Sequence, residues 1–263
     1  MARNIKLTIE YFGADYMGWQ IQPGVPTVQG SVVKALSELC GENIHTFGAS
    51  RTDAGVHANN FVLNFFTSST IPAERFAPAL NSFLPRDIVA KASEEVPAEF
   101  HARFSARRKT YRYLFYFSPV PSARLYRRAW HIKRPEFGSL PEAEQAALLK
   151  ALNDSAVCFI GTHDFSAFKA VGSGSPAKVR TVFAARVFQV QADLLSGRDL
   201  LCFEVTGDGF LYNMVRIMVG TLVGVYEGRF APEEIPEIIE SRDRTRAGMT
   251  APPDGLYLEN VEY

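Results

Sequence analysis

The sequence predicts an α+β protein built from two similar ferredoxin-like, RRM-like βαββαβ halves. Three observations predict it. Short segments alternate polar and apolar residues with period two, and longer ones repeat apolar residues at helical spacing. The order strand, helix, strand, strand, helix, strand is met once before Phe104 and loosely again after it. At 263 residues, 47% of them hydrophobic, the chain can form two domains with real cores. We expect them at residues 1–104 and 105–263.

Residues 4–11 (NIKLTIEY) alternate and read as the first strand. Thr27 starts a helix to about Cys40, with Val28, Val32, Val33, Leu36 and Leu39 on helical spacing and Gly41 as its stop. Strands at 44–49 and 60–67 come next. A second helix begins at Pro72, a favoured first-turn position, and runs to about Phe83 with an irregularity at Pro78; a strand at 87–96 closes the half. The second half opens on a strand at 109–117, with Tyr111, Tyr113, Phe115 and Phe117 on one face. After a basic, proline-containing insertion come a helix at 140–157, strands at 178–190 and 200–206, helices at 210–226 and 232–241, and a last strand at 256–261.

The first 13 residues alternate instead of forming an apolar run, so no secretory signal is expected and the cytoplasm is the default location. Cys40, Cys158 and Cys202 lack CxxC spacing and sit among apolar neighbours, which reads as buried thiols and not as a zinc site. The net charge of zero conceals a local imbalance. From His101 to Arg134 there are ten Lys or Arg, among them Arg107, Arg108 and Arg112, and no Asp or Glu. A strip of one sign repels itself unless something anionic answers it, and polyphosphate is the obvious candidate.

Gly48 to Ala58 (GASRTDAGVHA) sets an Arg, an Asp and a His among small, turn-forming residues directly after an apolar strand. Asp53 reads either as an Asx-turn cap or as a carboxylate projecting into a cleft. Asp53 and His57 have the spacing of a metal pair, but no third ligand is evident, so no metal is expected. A carboxylate in a cleft loses hydration and needs a fixed cation to stay ionised. Arg216, the one charge in the apolar stretch Phe210 to Tyr226, is the candidate; a snorkelling surface Arg is the other reading. That stretch is too short for a membrane span and carries a costly central charge. No P-loop and no strong dinucleotide fingerprint occurs, so no cofactor is expected.

The string Arg51 to Ala58 (RTDAGVHA) resembles the signature loop of the tRNA pseudouridine synthase A (TruA) family. Further strings similar to that family follow in family order: HARFSA (101–106), KTYRY (109–113), HDFSAF (163–168), GFLYNMVRIMVG (209–220) and TAPPDGLYL (250–258). Ser50 stands where many members have Gly. The resemblance implies the pseudouridine synthase fold, with a catalytic cleft between the two halves, and isomerisation of uridine in the tRNA anticodon stem-loop around positions 38–40. Asp53 matches the catalytic Asp, Arg216 the Arg that pairs with it, and Arg51 the Arg that takes part in base flipping. Tyr111 matches a Tyr lying against the uracil; it stacks, and its hydroxyl could also take a proton from C5. His57, Arg107, Arg108, Arg112 and Asp164 are expected on the substrate side. The partners implied are tRNA and a second copy of the chain, with no membrane.

Attack of Asp53 on C1′ and a glycal route are both compatible with these residues. A non-catalytic RNA-binding protein of tandem ferredoxin-like modules is the alternative. Against it, no K/R-G-F/Y-G/A-F-V-x-F/Y string occurs, where an RRM carries its stacking aromatics.

Overall fold

Alternation in the first segment makes a strand, β1 (Arg3–Tyr11), with Ile5, Leu7, Ile9 and Tyr11 buried on one face. The computed structural model describes residues 2–172, 177–190, 197 and 199–263. By its internal contacts the chain divides into one unit of residues 1–109 with 257–263 and a second of residues 110–256.

In the first unit, α1 (Val28–Cys40) runs between the two signals legible in the sequence. The Thr27 hydroxyl accepts the Gly30 N–H at 3.3 Å, and Gly41 takes a left-handed φ of 69° just past the end. Thr27→Ala should lower stability by about 1 kcal/mol, a fall in Tm of roughly 2–4 °C in a calorimetric scan. β2 (Thr46–Gly48) and β3 (His57–Thr67) follow. β3 begins three residues before the expected start, so the tail of the signature loop is already strand. A 3₁₀ turn (Ala73–Arg75) replaces the first turn of the expected second helix, and α2 is short (Phe76–Leu80). Pro78 lies in its first turn, where a missing N–H costs nothing. β4 (Ile88–Val96) completes βαββαβ.

β1 lies antiparallel between β4 and β3, and β2 pairs antiparallel on the far side of β3. This is the ferredoxin-like order 4-1-3-2. Ile5, Leu7 and Ile9 stand opposite Phe65, Leu63 and Phe61, and all six are buried. Each such side chain contributes about 1.5–3 kcal/mol by leaving water. Phe76 of α2 meets Phe65 edge-on, which seats the helix on the sheet.

The next strand, β5 (Arg108–Phe117), buries Tyr111, Tyr113, Phe115 and Phe117, as their alternation predicts. The basic insertion contains a short strand that the sequence does not announce, β6 (Trp130–Ile132), parallel to the end of β5. Then come α3 (Glu142–Val157), a second unannounced strand β7 (Gly161–Asp164), β8 (Val179–Val190) and β9 (Leu200–Gly207). In the second unit these order as β5-β9-β8-β7. α4 (Met214–Tyr226) starts four residues later than expected, because Asn213 holds a left-handed φ of 60° that a helix interior does not permit. α5 (Ile235–Ser241) precedes β10 (Leu256–Glu262). Leaving β6, β7 and α5 aside, chain order from β5 to β10 repeats βαββαβ. β10 pairs in parallel with the start of β3, Tyr257 beside His57 and Leu258 beside Ala58.

Cys202 is buried as expected, whereas Cys40 and Cys158 are only partly so; all three are thiols outside any disulfide. Among the described residues no helix is long and apolar enough to cross a membrane.

Candidate active site

The loop between β2 and β3 carries Arg51 and Asp53, and His57 is the first residue of β3. Arg51 is exposed and Asp53 half-buried, and the next two residues, Ala54 and Gly55, are small. The loop's backbone is clamped by residues 11–19. The Tyr11 and Thr52 hydroxyls share a hydrogen bond of 2.8 Å, the Trp19 N–H donates to the Thr52 carbonyl at 3.1 Å, and the Gly55 N–H donates to the Tyr16 carbonyl at 3.2 Å. Two glycines permit the approach. A methyl on Gly13 would lie 1.9 Å from the Val56 carbonyl oxygen, and one on Gly18 would lie 2.4 Å from that of Thr52. Lys109 donates to the Ala49 carbonyl at 2.7 Å and ties down the loop's entry. Tyr16 is itself anchored, donating to the Asp87 carboxylate at 2.8 Å. Burial first, and then that carboxylate, push the Tyr16 hydroxyl well above its ordinary range, so it stays a donor at any physiological pH.

His57 is 1% exposed and sits between the Phe12 and Tyr257 rings at 4.7 and 4.6 Å. Its Nδ1 accepts the Gly13 N–H at 3.0 Å, so that nitrogen holds a lone pair and not a proton. Among the described residues no group of three or more His, Cys, Asp or Glu is placed to hold a metal.

In the second unit the Tyr111 ring is buried and meets Phe210 edge-on at 5.2 Å. Arg216 is half-buried on α4 and held at both ends of its guanidinium. Nε donates to the Ala251 carbonyl at 2.7 Å and an Nη donates to Asn213 Oδ1 at 2.8 Å. Tyr113 donates to the Pro252 carbonyl at 2.7 Å. Burial drives its hydroxyl well above the ordinary value, against the opposing pull of the Arg216 charge. Asp164 Oδ1 accepts from the Ser166 N–H and hydroxyl, and its other oxygen lies 3.4 Å from Arg242. The Ser166 hydrogen bonds, ahead of that cation, hold its carboxyl below the usual range despite burial.

The basic strip is less uniform than its sequence. Arg107 and Arg108 are exposed, but Arg112 donates to Glu204 at 2.7 Å and Arg134 to Glu227 at 2.7 Å. Acids distant in sequence thus answer part of the positive charge. Arg186 shares the Glu204 carboxylate with Arg112. Burial alone would raise the Glu204 pKa, but the two guanidinium groups outweigh it and hold the group below its ordinary 4.5. The stabilisation from that depressed pKa is complete above about pH 4.5 and is lost as the pH falls through the lower folded value. Arg112→Ala should therefore shrink the fall in Tm between neutral pH and pH 3; an unchanged fall would mean that Arg186 alone holds the carboxylate ionised.

The clamp from residues 11–19 is the part of the site that spacing does not reveal. Its only linear signal is the pair of glycines Gly13 and Gly18 within a run rich in aromatic residues.

Asp53 thus stands half-buried on a clamped loop between two strands of a ferredoxin-like unit. The family model for tRNA pseudouridine synthase matches residues 7–105 and 156–263. Proteins called tRNA pseudouridine synthase A are similar along the whole chain. That of Acetivibrio thermocellus is 49% identical, and that of Ruminiclostridium cellulolyticum 48%, each over 99% of this chain and 100% of the relative. That of Moorella thermoacetica is 46% identical over 98% of this chain and 99% of its own. The chain belongs to the tRNA pseudouridine synthase A family, a family of isomerases.

Proposed function

We propose that this protein converts uridine to pseudouridine in tRNA, in the anticodon stem-loop around positions 38–40, with the Asp53 carboxylate carrying the chemistry. The observation that supports this most is the full-length similarity to proteins of that name, in a chain whose Asp53 stands on a loop fixed by residues 11–19.

The reaction breaks the bond between uracil N1 and ribose C1′, turns the base and forms a bond from C1′ to C5. C5 gives up a proton and N1 gains one, so atoms and electrons balance with no cofactor. Asp53 either attacks C1′ or removes a sugar proton to give a glycal. Arg216, its guanidinium fixed by Ala251 and Asn213, is the cation assigned to keep Asp53 ionised. Tyr111 stacks on the displaced uracil, an interaction of about 1–3 kcal/mol. Arg51 fills the space the base leaves, since unstacking costs roughly a few kcal/mol. His57 acts on substrate through the loop it anchors, and Asp164 through the turn that it caps.

Arg107, Arg108 and Arg112 are assigned to the tRNA backbone, working in the cytoplasm as a homodimer whose two copies pool their basic residues. Replacing Arg107 and Arg108 together by Ala should reduce the log-log salt slope of tRNA binding by about 0.9 for each phosphate that is no longer neutralised. Arg112→Ala, already engaged by Glu204, should change it less. An unchanged slope in the double variant would move the tRNA elsewhere. The test of the activity itself is incubation of purified protein with unmodified tRNA transcript and no added cofactor, followed by mapping of pseudouridine. Conversion at 38–40 is expected; binding without any conversion would leave only an RNA-binding module.

A further inference from the structure

One turn of the first unit, its backbone fixed by hydrogen bonds, holds a large aromatic side chain out in water. Phe104 is 76% exposed, yet its turn is fixed at both ends. The His101 N–H donates to Ser105 Oγ, the Ser105 N–H returns to the His101 carbonyl, and the Arg103 N–H donates to His101 Nδ1, all within 3.1 Å. Ala102, fully buried, is pinned between Asn64 and Tyr263: its N–H donates to the Asn64 side chain at 2.9 Å and its carbonyl accepts the Tyr263 hydroxyl at 2.8 Å. Asn64 is in turn bonded to Asn4, whose amide holds the Pro97 and Phe100 carbonyls. A buried polar network therefore locks a surface turn.

The locked turn presents a row of rings. The His101 imidazole lies 4.4 Å from Phe104 and 4.9 Å from Phe47, which is 39% exposed on β2 immediately before the Asp53 loop. The Arg103 guanidinium sits 5.6 Å from the Phe104 ring. A Phe on a fixed backbone turn offers contact area whose backbone ordering entropy is already spent. The surroundings select the partner. Arg103, Arg107 and Arg108 are exposed within four residues of Phe104 in sequence. Aromatic faces flanked by cations fit unpaired nucleobases on a phosphate backbone.

We infer that Phe104, with Phe47, His101 and Arg103, forms a second RNA-binding platform that stacks an unpaired base of the substrate RNA outside the Asp53 loop. The inference rests on the proposed activity toward tRNA, but its test reads binding and not turnover. Affinity for a fluorescein-labelled, unmodified tRNA transcript is measured by anisotropy for wild type, Phe104→Ala and Phe104→Trp, alongside thermal stability, oligomeric state and single-turnover pseudouridine formation at saturating enzyme. Phe104→Ala should raise Kd about 5- to 150-fold, the range for removal of one base–aromatic stack. Phe104→Trp should restore it. Tm and the single-turnover rate should stay near wild type, since the ring is exposed and off the catalytic loop. Loss of binding in the Ala variant stands as support even if wild type forms no pseudouridine, an outcome that would remove the activity alone. Unchanged tRNA affinity in Phe104→Ala overturns the inference. So does a variant that separates into single copies with affinity per copy retained, which would assign the patch to a second copy of the chain.

Discussion

Asp53→Asn should abolish detectable pseudouridine formation while leaving the protein folded and able to bind tRNA. The amide keeps the shape of the carboxylate and its capacity to accept hydrogen bonds, so a structural Asp tolerates the change within about 0.5 kcal/mol. An essential carboxylate does not. Its loss costs on the order of 10⁴ in rate, roughly 5.4 kcal/mol of barrier. The two readings of Asp53 are thus separated tenfold in energy. Single-turnover assays on protein free of host enzyme decide between them, and activity within tenfold of wild type would return Asp53 to the role of a turn cap.

Gly13→Ala is expected to have the next largest effect, although Gly13 carries no chemistry. Its new methyl would meet the Val56 carbonyl oxygen at 1.9 Å and the carbonyl carbon at 2.7 Å, both backbone atoms with no rotamer to escape into. The Asp53 loop must move, and the bond from the Gly13 N–H to His57 breaks with it. A displacement of about 1 Å at a reacting group costs on the order of 100-fold in rate. Stability should fall by about 1–3 kcal/mol and tRNA affinity should hold. Gly24→Ala is the control: it has a positive φ, at 76°, but nothing lies within 4 Å of the added methyl, so only backbone strain is felt and the rate should persist. Equal rates in Gly13→Ala and wild type would mean that the clamp does not position the loop.

The elements legible in the sequence were those whose cues are local. α1 is bounded by a Thr cap and a Gly stop, and β1 by alternation, so both stand where period and capping put them. β6 and β7 span three and four residues and owe their existence to pairing with β5 and β8. No periodicity can develop over so short a run. The late start of α4 turns on the backbone of Asn213, which reads in sequence as an ordinary polar residue. The same division runs through the candidate site. The small residues flanking Asp53 are legible along the chain, but the reason for Gly13 and Gly18 is a close approach in space. The partners of Arg112 and Arg134 lie 92 and 93 residues away, so an acid-free strip read along the chain overstated the unanswered charge.

The parallel pairing of β10 with β3 sets an order of events during synthesis. Tyr257 covers one face of the His57 ring, and Glu259 accepts from Asn59 at 2.7 Å, 200 residues away in sequence. Closing so long a span costs on the order of 5 kcal/mol in chain entropy, on the (3/2)RT ln n scaling. A nascent chain can assemble β1 to β4 early, but the strand that carries His57 is not finished until residues 257–263 have left the ribosome. Packing of the Asp53 loop is thereby completed only by the last strand, and a chain cut short before Tyr257 would carry the whole signature loop and still lack the ring that packs on His57.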